Sequence, residues 1–232
     1  MSFTRKKEFY QHNYVLNAVP VNRVYLFRDL GILFDQKFYF VDHISDILAK
    51  SYKTYGFIYR NCKDFSDISV LILLFCSLIR SRLEYGIMVW YPIYNIHVNH
   101  LETLQRKYLK FMSYLIDGAY PPRGFDHTVL LARFNLTTLH TRRVVSVLRF
   151  LYNLVHFRID CPYLLHKLNF LVPRLNSRNS NIFYCISKRT NVLVRSPVAL
   201  MSDIANNINC VCDIYSNSLA AISKAVVSFI EV

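Results

Sequence analysis

Clusters of basic side chains are the residues of this sequence whose types and spacing point most directly to a chemical task. Guanidinium and ammonium groups contact phosphate oxygens, and such contacts position a nucleic acid without reading its sequence. The candidates for phosphate contacts are Arg82, Arg106, Lys107, Lys110, Arg142, Arg143, Arg149, Arg174, Arg178, Lys188, Arg189 and Arg195. The alternative is that these side chains form an ordinary solvated surface.

The distribution of charge favours the first interpretation. The formal net charge is +13, which implies attraction to phosphate-rich partners or anionic surfaces. Between Gly118 and Arg195 there are 12 basic and 2 acidic residues, so a merely solvated face would lack its usual acidic neighbours. From Ser196 onward Lys224 is the only basic residue. Contact with a polyanion is therefore expected in the middle of the chain more than in its tail.

Aromatic residues interleave with the later basic residues. Stacking on unpaired bases is one role for such rings, and packing in the core is the other. The candidates are Tyr120, Phe125, Phe134 and Tyr184.

Motifs for catalysis are missing from the sequence. It contains no adjacent pair of acidic residues, no glycine-rich phosphate loop, and neither G-x-S-x-G nor H-E-x-x-H. The isolated Asp29, Asp35, Asp42 and Asp46 are interpreted as caps and turns rather than as a metal site. Cys210-x-Cys212 lacks a second ligand pair in range and predicts buried thiols rather than zinc. We expect no catalytic residue, no metal and no cofactor.

The pattern of apolar residues predicts a mainly α fold, a helical bundle with a small β element near the N-terminus. Short β-prone runs at 14–16, 24–26 and 32–34 are separated by turn residues. A short hairpin is expected near 182–194, from Ile182–Ile186 and Val192–Val194. Helices are expected after Asp42 and after Ser66, over Val98–Leu115, Val129–Phe134, Leu139–Val155, Val198–Asn207 and Ser216–Phe229, and from Cys161-Pro162.

The expected helix from Ser66 to Pro92 combines an apolar run, Ile68–Ile79, with a charged second half. The run is shorter than the roughly 20 residues that a membrane span needs, so we expect no membrane partner and instead a buried bundle helix. Arg80 and Glu84 lie one turn apart and are expected to form a weak pair. Arg82 points away from Arg80 and is the freer candidate for a phosphate.

The N-terminal stretch MSFTRKKEFYQHNY has neither an apolar core nor a small-residue cleavage site. We therefore expect an intracellular protein, nuclear or cytoplasmic, that is not secreted. The six cysteines are then expected to be free thiols.

Six stretches, in the same order and spacing, resemble the region that follows the polymerase palm in non-LTR (LINE-type, jockey-like) retrotransposon reverse transcriptases. The resemblance runs from about residue 13 to the C-terminus. The stretches are VYLFRDLGILFDQKFYFVDHI (Val24–Ile44), YGFIYRNCKDF (Tyr55–Phe65), SLIRSRLEYGIMVWYPIY (Ser77–Tyr94), HLETLQRKYLKFM (His100–Met112), RRVVSVLRFLYNLVHFRIDCPYLL (Arg142–Leu165) and RSPVALM (Arg195–Met201).

The resemblance implies an origin in an RNA-directed DNA polymerase of a transposable element. Asp29-Leu30-Gly31 matches the element that follows the primer-grip hairpin, so 1–40 is expected to be a remnant of the palm's end. Residues 41–117 then correspond to a thumb-like bundle and 118–232 to a basic connector, which together hold template and primer.

The family's palm, with its catalytic aspartates, would lie upstream, so this chain is expected to be a truncated fragment and not an enzyme. Its expected partners are an RNA–DNA duplex or a single strand, and the upstream polymerase domains as the natural packing partner. The alternative is a helical remnant that has no function or binds other proteins.

Overall fold

The computed structural model of the chain describes residues 1–6, 12–65, 67–172, 181–184, 190–194 and 196–230. The described part is mainly helical, with two small antiparallel strand pairs near the N-terminus. The predicted fold class is therefore confirmed. None of the helices in the described ranges is both long enough and apolar enough to cross a membrane.

Two hairpins form the β element. Their strands are β1 (Val15–Leu16), β2 (Val19–Pro20), β3 (Leu26–Asp29) and β4 (Ile32–Asp35). Leu30 and Gly31 join β3 to β4 with φ values of 45° and 85°. Positive values at both positions are what a two-residue type I′ turn needs, and glycine adopts them without strain. Ile32 of β4 is buried, whereas every residue of β3 is exposed.

Eleven α-helices and one π-helical segment follow in the described part of the chain. They are α1 (Val41–Asn61), α2 (Ile68–Leu74), the π segment (Phe75–Arg80), α3 (Ser81–Glu84), α4 (Ile87–Trp90), α5 (Asn95–Asp117), α6 (His127–Arg133), α7 (Leu139–Val155), α8 (Pro162–His166), α9 (Asn191–Val194), α10 (Pro197–Ile208) and α11 (Leu219–Ile230).

The expected helix from Ser66 to Pro92 is divided in the structure. Ser66 lies outside the described residues, and the Asp67 side chain caps α2 by accepting from the Ser69 amide. A π-helical segment follows α2, and the helix ends at Tyr85 and Gly86, where Gly86 is left-handed with φ 63°. A Cβ on Gly86 would lie 2.7 Å from Ile32 Cδ1, so the bend lets β4 pack closely.

The expectation that this region is the buried centre of the bundle is also wrong. One face is buried from Leu71 to Trp90, but Leu73 is 65 % exposed and Leu78 is exposed too. The segment therefore forms a wall of the bundle rather than its centre.

Helix α5 occupies the middle of the core and contacts α1, α6 and α7. Its stripe Leu101, Leu104, Tyr108 and Met112 is buried, as the 3.6-residue period predicted. The Tyr108 hydroxyl donates to the Leu71 carbonyl at 2.8 Å. Because this bond is buried, it ties α5 to α2 through a satisfied polar pair.

The C-terminal helices α10 and α11 both pack on α7. The short hairpin expected near 182–194 is not formed by its described residues. Val192–Val194 belongs to α9, and Phe183 makes an isolated antiparallel bridge with Phe170 instead. β-branched residues are weak indicators of strand here because tertiary contacts override local propensity.

Candidate nucleic-acid interface

A cleft of about 430 Å³ lies between the β3–β4 hairpin, α1, and the π segment with α3. Three basic side chains line it, Arg28, Lys50 and Arg82, together with the carboxylate of Asp46 and the ring of His43. We call this site the basic cleft. The cleft brings together residues from three separate elements. Among its basic residues, only Arg82 was predicted from the sequence to contact phosphate.

Helix α1 provides one wall because its polar residues repeat every fourth position. Asp46, Lys50 and Thr54 therefore share one face. Asp46 Oδ2 accepts from Lys50 Nζ at 2.7 Å within the helix and from Arg28 Nη2 of β3 at 3.1 Å. The hydrogen bond from Lys50 is the main reason that the pKa of Asp46 is lowered.

Arg82 forms the opposite wall. Its Nη1 donates to Thr54 Oγ1 at 3.0 Å, and within the described part of the chain no carboxylate pairs with it. A guanidinium carries five N–H donors, so a neutral hydroxyl partner leaves both its charge and most of its donors available. The expected contrast with Arg80 is not observed, because no carboxylate among the described residues pairs with Arg80 either.

His43 is the most deeply buried polar residue of the basic cleft, at 2 % exposure. Its Nδ1 accepts from the Leu33 amide at 3.3 Å, which places the proton of the neutral ring on Nε2. Burial lowers the pKa of His43 to about 4, against the opposing effect of Asp46. Nε2 itself is buried and has no hydrogen-bond partner.

Tyr85 closes one end of the basic cleft. Its hydroxyl donates to the Leu30 carbonyl at 2.9 Å, joining the end of α3 to the β3–β4 turn. Gly31 lies beside the same ring. A Cβ atom added to Gly31 would lie 3.6 Å from Tyr85 Cε1. The hairpin that carries Arg28 is thereby fastened to the segment that carries Arg82.

A second basic surface lies on α5, where the sequence analysis predicted it. Arg106 and Lys107 are exposed, and Lys110 is half-buried. Lys107 Nζ lies 4.9 Å from the centre of the Tyr52 ring, in a cation–π contact. The pKa of His127 is lowered, first by burial and next by Arg106. Lys107 thus contacts α1 at Tyr52, whereas Arg106 and Lys110 lie near His127 of α6.

Two of the basic candidates on α7, Arg142 and Arg143, require a correction. Arg142 forms a two-pronged ion pair with Glu84, with 2.9 Å between Nη2 and Oε2. Arg143 is buried, and its Nη2 lies 3.1 Å from Oε1 of Glu102. Both carboxylates lie outside the 118–195 window whose charges were counted, so the count did not reveal them. Glu84 is thus engaged by Arg142 and not by Arg80, the partner predicted for it.

The remaining basic candidates divide into two groups. Arg149 is exposed on α7, as predicted. Five candidates lie outside the described residues, namely Arg174, Arg178, Lys188, Arg189 and Arg195.

The aromatic candidates also divide. Phe134 is buried, so core packing accounts for it, whereas Tyr184 and Phe125 are exposed. Tyr120 is exposed and stacks on Tyr114, with ring centroids 4.5 Å apart.

The interpretation of the N-terminal aspartates as caps and turns fits Asp35 but not Asp46, which lies within α1 and pairs with Lys50 and Arg28. Both Asp35 carboxylate oxygens accept from the Tyr39 amide, and Asp35 Oδ2 also accepts from Phe40 N at 3.0 Å. Asp42, expected to cap α1, lies instead in its first turn, after a left-handed Phe40. In the described ranges no three His, Cys, Asp or Glu side chains are grouped to hold a metal ion.

The cysteines that the structure describes are free, and the prediction of buried thiols fits Cys212 but not Cys210, which is exposed.

Arg28, Lys50 and His43 are not among the residues predicted from the sequence. The four-residue spacing of Asp46 and Lys50 was a usable signal, but the approach of β3 to α1 was not encoded in any local pattern.

Comparisons with protein-family models, with curated proteins and with solved structures return no match for this chain.

Proposed function

We propose that this chain binds nucleic acid through its sugar-phosphate backbone, without sequence preference, and that the basic cleft is the centre of the contact. The observation that carries the proposal is the convergence of Arg28, Lys50 and Arg82 on a cleft with one carboxylate. Side chains of this kind neutralise phosphates and release their counterions. The proposal is one of binding, with no catalytic group, metal or cofactor assigned to this chain.

The α5 surface supports the proposal. Lys107 contacts Tyr52, which lies on a different face of α1 from Asp46, Lys50 and Thr54. Neither Lys107 nor Arg106 has a carboxylate partner within the described residues. A strand that crosses α1 would therefore meet basic groups on both sides of the helix. This arrangement suits a duplex or an extended single strand rather than a compact small molecule.

The family resemblance gives the proposal its biological form. We propose that the chain corresponds to the thumb and connector of a non-LTR retrotransposon reverse transcriptase, and that it holds an RNA–DNA duplex or a single strand. The same proposal places it inside the cell, in the nucleus or cytoplasm. The turn carrying Asp29-Leu30-Gly31 lies next to the basic cleft, which supports this assignment.

The test is the affinity for an RNA–DNA duplex and for a single strand, measured by fluorescence anisotropy between 50 and 300 mM salt. If several phosphates are neutralised, log K falls linearly with log salt, by roughly 0.9 per phosphate on a duplex. Absence of binding at the lowest salt, or a slope near zero, would contradict the proposal.

A second function, binding to another protein, is favoured by the exposed apolar residues of β3 and of the turn that follows it. Leu26 and Phe27 are about half exposed, and Leu30 is 82 % exposed. A two-stranded sheet is marginally stable by itself, and an apolar patch of this kind marks interaction surfaces. The upstream polymerase domains are the partner that the resemblance suggests. A monodisperse monomer in size-exclusion chromatography would argue against self-association through these exposed apolar residues.

A further inference from the structure

An unused hydrogen-bond donor lies in the basic cleft. His43 Nε2 is buried without a partner, although its ring is 2 % exposed and its Nδ1 is occupied by the Leu33 amide. Buried polar groups in folded proteins are nearly always paired, because an unpaired one carries the full cost of leaving water. His43 lines the basic cleft, and an acceptor atom that reaches its Nε2 would satisfy this donor.

The charges around this donor define the kind of acceptor. Arg28, Lys50 and Arg82 contribute three positive charges and Asp46 one negative charge. The excess of about two matches a phosphate monoester, which carries roughly −1.5 to −2 near neutral pH. A phosphodiester within a strand carries one negative charge and would leave the cleft incompletely neutralised.

The depth of His43 also favours a phosphate monoester over an internal phosphate. The side chains of Arg28 and Lys50 are each 46 % exposed, so they lie near the rim, whereas His43 is far more buried. An internal phosphate has a sugar on both sides and is held at the rim by the strand. A terminal phosphate has one substituent and can enter the cleft, whose volume of about 430 Å³ is ample for it.

We infer that the basic cleft binds the terminal phosphate of a nucleic acid strand, with Arg82, Lys50 and the Nε2–H of His43 as donors to its oxygens. This inference rests on the proposed function and names the part of the ligand that the cleft takes. Internal phosphates then contact the rim and the α5 surface.

The experiment uses the full chain at pH 7.5 and three oligonucleotides of one sequence, with a 5′-phosphate, a 3′-phosphate or hydroxyl ends. One phosphorylated form is expected to bind about tenfold more tightly than the hydroxyl form at the same salt, because a charge-assisted contact is added. Equal affinities for all three, with a steep salt slope retained, would overturn the inference and leave the proposed function standing. Loss of all binding would overturn both.

Matched variants locate the effect. Arg82→Gln and Lys50→Gln are expected to abolish the preference for the phosphorylated form. Lys53→Gln removes the same charge from an exposed position on α1 outside the cleft lining, and it should leave the preference unchanged. If Lys53→Gln reduces the preference as much as Lys50→Gln does, the assignment to the cleft is wrong.

His43 is tested separately, because its substitution could affect folding through Leu33 and Trp90. The wild-type protein, labelled with ¹⁵N in histidine, should show a downfield shift of the His43 Nε2 proton with the phosphorylated strand and none with the hydroxyl form. An unshifted proton would remove His43 from the site. A mononucleotide that competes as well as the phosphorylated strand would rule out recognition of a strand end.

Discussion

In the basic cleft Arg28 and Lys50 share one carboxylate, Asp46, and Arg82 has none among the described residues. On α7, by contrast, each of Arg142 and Arg143 has a carboxylate of its own. The α7 pairs connect that helix to α3 and to α5, so they hold elements together. The cleft retains positive charge after its internal pairs are formed. Whether an arginine serves the fold or a ligand is therefore decided by the carboxylates that the fold brings to it, more than by its place on a helix.

Burial makes the pair of Arg143 with Glu102 structural. Arg143 is 1 % exposed, and Glu102 also accepts from the backbone amide of His140 at 2.7 Å. Glu102 thus binds a buried cation and caps the start of α7, a favourable position for a negative charge. A ligand phosphate would have to replace both interactions to reach Arg143.

The largest loss of stability is expected for Glu102→Gln, which removes the counter-charge of Arg143. The substitution leaves Arg143 buried without a counter-charge, and breaking a buried pair in this way costs about 3–5 kcal/mol of unfolding free energy. Urea denaturation followed by circular dichroism measures the loss. As a control, Arg149→Ala changes an exposed residue of α7 and should alter stability by less than about 0.5 kcal/mol. A loss below about 1 kcal/mol for Glu102→Gln would mean that the pair is not structural.

The next prediction concerns pH and the basic cleft. The pKa of His43 is lowered to about 4 in the folded protein, against 6.5 for an unperturbed histidine, so the unfolded chain takes up the proton first. The stabilisation from neutral His43 is complete above pH 6.5 and is lost as the pH falls towards 4. The loss is of order 3 kcal/mol, since one pKa unit corresponds to about 1.4 kcal/mol.

The measurement is the free energy of unfolding at several pH values for the wild type and for His43→Gln. The difference between the two curves isolates this histidine from other titrating groups. A constant difference between pH 7 and 4 would show that His43 is not held neutral by the fold.

A smaller effect is expected for Glu84→Gln. This pair is two-pronged but partly exposed, with side-chain exposures of 34 % for Arg142 and 18 % for Glu84. The expected loss is about 1–2 kcal/mol, above that of a surface pair and below that of a buried one. The same denaturation assay measures it. A loss as large as that for Glu102→Gln would show that burial does not decide how much each ion pair contributes to stability.

The predictions from sequence succeeded where local periodicity decides the structure. The buried stripes of α5 and α7 follow the 3.6-residue spacing of apolar residues, and α8 begins at Pro162 as expected. These features depend on residues within one or two turns of each other. The exposure of Arg106 and Lys107 on α5 follows from the same spacing, because Leu104 and Tyr108 take the buried positions.

The failures share a cause, which is dependence on residues distant in sequence. The bend at Gly86 is explained by its contact with Ile32, and no pattern within 68–92 contains that information. Arg142 lies 58 positions from Glu84. The basic cleft likewise depends on how β3 approaches α1. Charge counted within a window therefore overestimated the free arginines on α7 and overlooked those of the cleft.

The smallest expected effect is a change in the salt dependence of nucleic-acid affinity. It gives the most direct test of the difference between the arginines of the basic cleft and those of α7. Arg82→Ala should reduce the slope of log K against log salt by about one ion, with little effect on folding, because Arg82 has no carboxylate partner among the described residues. The double substitution Glu84→Ala with Arg142→Ala removes a pair of opposite charges, and the slope should not change. Lys53→Ala, outside the cleft, should change the slope less than Arg82→Ala does. If the double variant lowers the slope as much as Arg82→Ala, Arg142 contacts phosphates despite its ion pair. The distinction between arginines that serve the fold and arginines that serve a ligand would then fail.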